Sequence, residues 1–255
     1  MKIGLFIKEE LNETDIATYL ISKINEHGFD FDNDNPDVVI YVGGDGTFLR
    51  AVHEYINNID EINFVGINEG TVGYFPHFVI EEIDEILDLL ISGDYDIDQH
   101  LLIKANFGDE ELYAVNEIRI ENPFHTLTCK VYINGGFLEE YRGNGLSISS
   151  SSGSGAYNRS LGGALISPKL QILQLTEIAS INNYKYHSLN SPFVISKEET
   201  ITIEGNFAEA VLGYDHLTTS LENNSITFSL SNKTINVVRK EGYQYIDKIH
   251  DTFIK

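Results

Sequence analysis

Three stretches of this chain carry residue types whose spacing suits phosphate and nucleoside chemistry. The first is Val39-Ile40-Tyr41-Val42-Gly43-Gly44-Asp45-Gly46-Thr47. Three glycines around one carboxylate let the backbone turn sharply and come close to a ligand. Successive amides can then face phosphate oxygens, and a helix restarting over Thr47 to Tyr55 adds its positive end. Asp45 is placed there to accept a proton, and Arg50, about one helical turn on, can face the same pocket. An arbitrary Gly-Asp-Gly is more often a plain turn in which the aspartate caps the helix. The ligand reading is favoured here because the turn ends an apolar strand-like run, where open α/β sheets place their ligands.

The second stretch is Asn116-Glu117, set between Tyr113-Ala114-Val115 and Ile118. In a strand one of two successive side chains points inward, and an amide beside a carboxylate suits a base edge and a ribose diol. An edge strand with both side chains wetted fits the same residues equally well. The third comprises Tyr141-Arg142-Gly143-Asn144-Gly145-Leu146 and Ser152 to Gly163. Small residues followed by an aromatic let a planar ligand approach backbone and then cover it, although such a serine run read alone is a flexible loop. Ile178-Ala179-Ser180-Ile181-Asn182-Asn183 adds small residues with no role of their own to read.

The elements that must hold these stretches follow from periodicity. Ile3 to Ile7 is an apolar strand, followed by Ile16, Leu20, Ile21 and Ile24 at helical spacing and then Gly28. Asp37 to Val42 and Asn63 to Ile67 repeat the strand signal, and the latter runs into Asn68-Glu69-Gly70-Thr71-Val72-Gly73. Val79 to Ile91 is an acidic amphipathic helix with Ile83, Ile86, Leu87 and Leu90 on one face. The alternation predicts a parallel sheet with flanking helices. A boundary falls near Gln99, beyond which short β-rich runs dominate. These runs are Leu112 to Ile120, Thr126 to Ile133, Phe137 to Arg142, Leu146 to Ser150, Thr200 to Glu204, Ala208 to Tyr214, Ser225 to Leu230 and Thr234 to Arg239. Ser154 to Gly163 enters a short helix, and Tyr245 to Phe253 closes the chain with another.

Composition narrows the function classes. The chain has 255 residues and a mass of 28.7 kDa, enough for one large or two modest cores. Its 17 Lys and Arg against 39 Asp and Glu give a net charge of −22, which repels polyphosphate backbones and anionic lipid surfaces. Nucleic acid and membrane partners are therefore not expected. A phosphate ligand still fits, because backbone amides and a helix end can hold it in a local field of their own. The single Cys129 is expected as a buried thiol in a strand, and the 8 His show no zinc spacing. The N-terminal apolar patch, Met1 to Ile7, is too short for a signal or membrane segment, so a cytoplasmic location is expected. No Ser/His/Asp order, Walker lysine or Rossmann fingerprint is legible.

Taken together, Gly43-Gly44-Asp45-Gly46-Thr47, Asn68 to Phe75 (NEGTVGYF), Asn116-Glu117, Arg142-Gly143-Asn144-Gly145 and Gly153 to Gly163 (GSGAYNRSLGG) resemble the ordered motif set of the bacterial-type NAD kinase family. The Gly-Gly-Asp-Gly turn is shared with diacylglycerol and sphingoid lipid kinases and, loosely, with phosphofructokinases. The Asn-Glu pair and the Ala-Tyr-Asn-x-Ser segment discriminate. The resemblance implies ATP- and Mg2+-dependent phosphorylation of the 2′-hydroxyl of the adenosine ribose of NAD, giving NADP. It implies an α/β N-terminal domain (1–99, joined by 240–255) and a β-rich NAD-binding domain (100–239), assembled as a homo-oligomer, dimer or tetramer.

Under this resemblance Asp45 is the general base, and Gly46, Tyr74 and Phe75 line its pocket. Asn116 and Glu117 hold the nucleoside. Ala156, Tyr157 and Ser160 meet the base and ring faces, within the binding segment that includes Gly155, Asn158 and Arg159. Arg142, Asn144 and Ala179 take further parts of the dinucleotide, some of them across a subunit contact. No residue is assigned as a metal ligand.

The chain departs from the usual pattern at four places. Asn144 stands where an aspartate is common and Thr71 where a histidine is usual. Ser150-Ser151-Ser152-Gly153-Ser154-Gly155 replaces a Thr-Pro-containing loop, and Asp215-His216-Leu217 replaces an Asp-Gly-Gln turn. These changes bear on affinity and nucleotide preference, while Asp45 and Asn116-Glu117 are intact. Two other readings accompany the resemblance. One is a catalytically weak dinucleotide-binding regulator, motivated by the altered serine loop. The other is a lipid kinase, which would need the basic or apolar membrane face that a charge of −22 opposes.

Overall fold

The computed structural model describes residues 1–8, 13–69, 73–242 and 244–254, without the side chains of 13 and 14. Gly70-Thr71-Val72, and with it the Thr71 departure, lies outside the described residues. The chain packs into two units, residues 1–100 with 234–255, and residues 101–233. The return to the first unit thus begins at Thr234, ahead of the expected 240, because the end of one long strand already pairs within that unit.

Unit 1 runs β1 (Lys2–Ile7), α1 (Glu13–Glu26), β2 (Asp30–Phe31), β3 (Val38–Val42), α2 (Asp45–Glu54), β4 (Asn63–Asn68), β5 (Phe78–Val79), α3 (Ile83–Ser92) and the start of β6 (Asp96–Phe107). All five residues of β3 are buried, as a parallel strand covered on both faces requires. β1 pairs in parallel with β2 and β3, β3 with β4, and β4 with β5. Strand order reverses between β1 and β3, the position at which an open sheet leaves a crevice outside its carboxyl ends. Helix α3 buries Ile83, Ile86, Leu87 and Leu90 as the periodicity predicts. It begins at Ile83 instead of Val79, because a 3-10 turn over Ile80–Glu82 precedes it and the Glu82 carboxylate accepts the Val79 amide at 2.9 Å. The hydrophobic core joins Ile3, Ile40, Val65 and Ile67 of the sheet to Leu20, Ile24, Ile86 and Leu87 of the helices.

Unit 2 is antiparallel. It contains β7 (Glu110–Ala114), β8 (Glu117–Glu121), β9 (Leu127–Ile133), β10 (Gly136–Gly143), β11 (Gly145–Ser150), α4 (Tyr157–Ser160), β12 (Ile172–Ile178), β13 (Phe193–Ser196), β14 (Ile201–Gly205), β15 (Val211–Tyr214), β16 (Leu217–Ser220) and most of β17 (Ser225–Arg239). A six-stranded sheet runs β13-β12-β11-β8-β15-β16, and a second runs β10-β9-β14-β17. Their facing side chains make one core, with Ile118, Ile148, Leu175 and Leu212 from the first sheet and Val131, Tyr141, Ile203 and Phe228 from the second. Cys129 lies buried in β9, and burial pushes its thiol up to about 12, as expected of an inert structural cysteine.

The last three paired residues of β17, Asn236 to Val238, add a parallel strand to β4 of unit 1, and α5 (Tyr245–Phe253) follows. Among the described residues no helix is long and apolar enough to cross a membrane.

Candidate active site

In unit 1 the turn between β3 and α2 lies where strand physics put it, at the carboxyl end of a buried parallel strand. Gly43 has φ +145°, and a Cβ there would sit 2.3 Å from the Thr47 hydroxyl oxygen, so this first glycine is required by both conformation and space. Gly44 caps the helix and Asp45 is already its first residue, two positions earlier than the expected start at Thr47. Asp45 is held from its side-chain end. Its Oδ2 accepts the Tyr74 amide and its Oδ1 the Phe75 amide, each at 3.0 Å.

Phe75 is buried and stacks on Phe48 of α2 with ring centroids 4.1 Å apart, which fixes the loop against the helix. Asp45, Gly46, Tyr74 and Phe75 therefore come together as one cluster. Arg50 lies on the exposed side of α2, one turn after the exposed Gly46. Each carboxylate oxygen of Asp45 accepts one amide and keeps a second lone pair, so the group can still take a proton.

In unit 2 the expected single strand Leu112 to Ile120 is broken at Val115-Asn116 into β7 and β8. The break is pinned by Asp215, the turn residue of the β15–β16 hairpin, with φ +49°. Its Oδ2 accepts the Val115 amide at 2.8 Å, its Oδ1 accepts the Asn116 amide at 2.7 Å, and its own amide donates to the Glu117 carbonyl at 3.1 Å. The inward member of the pair is Glu117, 5% exposed, while Asn116 is half-buried. Burial first, and the Asp215 charge second, push the Glu117 carboxyl up to about 7, and the Tyr157 backbone N–H donates to it. Its Oε2 is buried with no hydrogen-bond partner among the described residues.

A raised carboxyl favours the folded state while protonated, so its stabilisation is complete below the ordinary carboxylate range and is lost as pH rises through about 7. Glu117→Gln, which mimics the protonated form, should therefore melt close to wild type at pH near 5 and above it at pH near 8. Melting curves at the two pH values check this, and an equal shift at both contradicts it.

The serine run is not a flexible loop. Ser150 to Ser154 are all buried, and Ser152–Gly155 form a 3-10 turn leading into α4. The Ser150 hydroxyl donates to the Val115 carbonyl at 2.6 Å and accepts the Gly153 amide at 3.0 Å. A Cβ on Gly153 would lie 2.0 Å from the Asn116 carbonyl oxygen, so backbone meets backbone there. Gly153→Ala should cost about 2–3 kcal/mol of stability through the forced shift. A denaturant titration measures the loss, and a change under about 0.5 kcal/mol would show that the loop yields freely.

Asn158 of α4 is fully buried, donating to the Ser154 carbonyl at 3.3 Å and accepting the Thr176 hydroxyl at 2.8 Å. Gln174 brackets Ala164 by its side chain, accepting the amide at 2.8 Å and donating to the carbonyl at 3.2 Å. Two polar side chains of β12, Gln174 and Thr176, thereby hold the 151–166 segment at Ala164 and Asn158. Tyr157 lies beside Glu117, to whose carboxylate its backbone N–H donates. The Tyr157 ring rests on the Arg119 guanidinium at 4.7 Å, while Arg159 and Ser160 turn outward and are exposed.

Arg142, Asn144 and Ala179 form a separate group. The Asn144 amide donates to the Ile178 carbonyl at 3.0 Å, the Asn144 side chain donates to the Asn122 carbonyl at 3.0 Å, and the Ile181 amide donates to the Arg142 carbonyl at 2.8 Å. Ala179 holds φ +49°, and the Arg142 guanidinium lies 4.5 Å over the Tyr186 ring. This group sits at the start of β11 and Ser150 at its end, about 20 Å apart at strand rise. The residues expected to share one dinucleotide therefore fall into two groups in one copy of unit 2.

Asp215, Arg119 and Lys248 were not among the expected site residues. Asp215 is legible only as a turn, Arg119 only as alternate with Glu117 on β8, and Lys248 only as one residue of a closing helix.

The family model for the ATP-NAD kinase N-terminal domain matches residues 7–95, and that for the ATP-NAD kinase C-terminal domain matches residues 115–240. The chain is 36% identical to an NAD kinase of Lactobacillus acidophilus, with 93% of this chain and 91% of that protein covered. It is 34% identical to NAD kinase 1 of Listeria innocua, with 92% of each covered. Its fold is similar to that of an NAD kinase from Archaeoglobus fulgidus solved in complex with ATP, at TM-score 0.78 and 19% identity over 98% of this chain and 99% of that one. It is also similar to a yeast NADH kinase complexed with NADH, at TM-score 0.84 and 17% identity over 99% of this chain and 87% of that one. With both family models matched in order along most of its length, the chain belongs to the NAD kinase family.

Proposed function

We propose that this chain transfers the terminal phosphate of ATP to the 2′-hydroxyl of the adenosine ribose of NAD, giving NADP and ADP. The observation that carries the reading is Asp45, fixed at the head of α2 beside the glycine turn by two backbone amides and left with free lone pairs. Asp45 takes the hydroxyl proton as the oxygen forms its bond to the terminal phosphorus and the bond to the bridging oxygen of ADP breaks. The amides of the turn and the positive end of α2 suit the phosphates. Asn116 and Glu117 hold the nucleoside, and Tyr157, stiffened by Arg119, covers a ring face.

Among the described residues no group of three or more His, Cys, Asp or Glu side chains could hold a metal ion. Magnesium usually keeps its waters and binds through substrate phosphates, so in this reading the ion enters with the substrate, carried on the ATP phosphates. The separation of Arg142, Asn144 and Ala179 from the Asn116-Glu117 group supports a homo-oligomer in which they serve a dinucleotide held by another copy.

An NAD analogue whose adenosine ribose lacks the 2′-hydroxyl tests the acceptor. It should compete with NAD and yield no phosphorylated product. Phosphorylation of this analogue would overturn the assignment.

A further inference from the structure

We infer that Lys248 of α5 is a positioning residue for the reaction, its ammonium clamping the short loop whose amides hold Asp45. The inference rests on the reading of Asp45 as the base. Lys248 is 6% exposed, and its Nζ donates to the Gly73 carbonyl at 3.0 Å and the Pro76 carbonyl at 2.6 Å. These carbonyls bracket the two residues, Tyr74 and Phe75, whose amides bind the two Asp45 oxygens.

The first link is a single peptide group. The Gly73 C=O accepts from Lys248 while the Tyr74 N–H of the same peptide donates to Asp45, so the ammonium polarises the very group that orients the carboxylate. The helix is tied to the loop a second time where Tyr245, three residues before Lys248, meets the Tyr74 ring edge-on at 6.5 Å. An apolar side chain at 248 would fill the space and spare the cost of burying a charge, but it would leave two carbonyls without their donor. A buried cation spanning both carbonyls is what aiming Asp45 requires.

The charged and titratable groups around Lys248 are Asp45, Asp98 and Asp251, with His77, Tyr74 and Tyr245. Burial brings the ammonium down to about 8 against the pull of the three aspartates. Burial also holds the His77 ring neutral down to about 3, with the charges of Lys248, Arg239, His100 and Lys240 acting the same way, and pushes both tyrosines above their ordinary value. The clamp is therefore charged at neutral pH and is lost as pH rises through about 8.

The test compares kcat and KM for NAD and Mg-ATP in wild type, Lys248→Met, Lys248→Arg and Asp45→Asn across neutral and alkaline pH. Lys248→Met should lower kcat on the order of 30-fold with both KM values within about twofold, the pattern of a misaimed reacting group. Lys248→Arg should restore most of kcat at neutral pH and move the alkaline fall of the wild-type profile upward, since a guanidinium stays charged. A Met variant with wild-type kcat, or one whose KM values rise as much as kcat falls, overturns the inference. Should the Met variant not fold, an alkaline limb unmoved in Lys248→Arg overturns it alone. Turnover that survives Asp45→Asn removes the reading of the base. Turnover lost there but unaffected at Lys248 removes only the clamp.

Discussion

Asp45→Asn is expected to lower kcat by about 10³-fold while leaving the affinity for NAD within a few-fold of wild type, because general-base assistance is lost and the nucleoside contacts lie elsewhere. The side chain keeps one oxygen, so one of the two amides from Tyr74 and Phe75 still finds an acceptor, while the other now faces an NH2 group. The loop thus loses one bond and stays anchored by the Phe75–Phe48 stack at 4.1 Å. Steady-state kinetics beside calorimetric titration with NAD separate the two effects. A variant that turns over within tenfold of wild type would mean that the proton leaves by another route.

The second large effect concerns stability. Asp215→Ala should destabilise unit 2 by about 3 kcal/mol, because two backbone amides lose a charged acceptor and alanine is a poor occupant of a left-handed turn. For a chain of this size the melting temperature should fall by about 8 °C. The affinity for NAD should drop by tenfold or more, since the Val115-Asn116 break would no longer set Glu117 inward. Thermal melts and calorimetry measure both, and a variant with wild-type melting and wild-type affinity would contradict the role given to Asp215. Asp45 and Asp215 share one device, a carboxylate that gathers two consecutive backbone amides, and each fixes a loop distant from it in sequence.

The parts of the site that were legible in the sequence are those set by local chemistry. An apolar run ending in Gly43-Gly44-Asp45 specifies a strand, a turn and a following helix by backbone conformation alone, and the structure has all three, with the helix starting two residues before the expected Thr47. The i, i+3, i+4 spacing of Ile83, Ile86, Leu87 and Leu90 likewise needs no distant partner. What escaped is held by long-range bonds. Leu112 to Ile120 reads as one strand, and the bonds that break it come from far along the chain, above all from Asp215, about a hundred residues on. The serines at 150–154 read as a flexible tract by composition. They are ordered because Ser150 and Gly153 fit against the Val115 and Asn116 carbonyls, a partner the local sequence does not reveal.

Ile172–Ile178 and Phe193–Ser196 were not among the expected strands; the Gln174 and Thr176 face of the first is polar, and those side chains are satisfied by the 151–166 segment. Lys248 was illegible for a simpler reason. Helical lysines are usually exposed, and nothing local signals that this one reaches two loop carbonyls.

Whether this chain makes NADP is read most directly from product formation by the purified wild-type protein supplied with NAD and Mg-ATP, followed by an NADP-specific dehydrogenase coupled assay. Sustained turnover that depends on both substrates and releases ADP in equal amount is the expected result. Binding of NAD with no NADP formed would contradict it, and would mean that the same pocket serves to sense the dinucleotide instead of phosphorylating it.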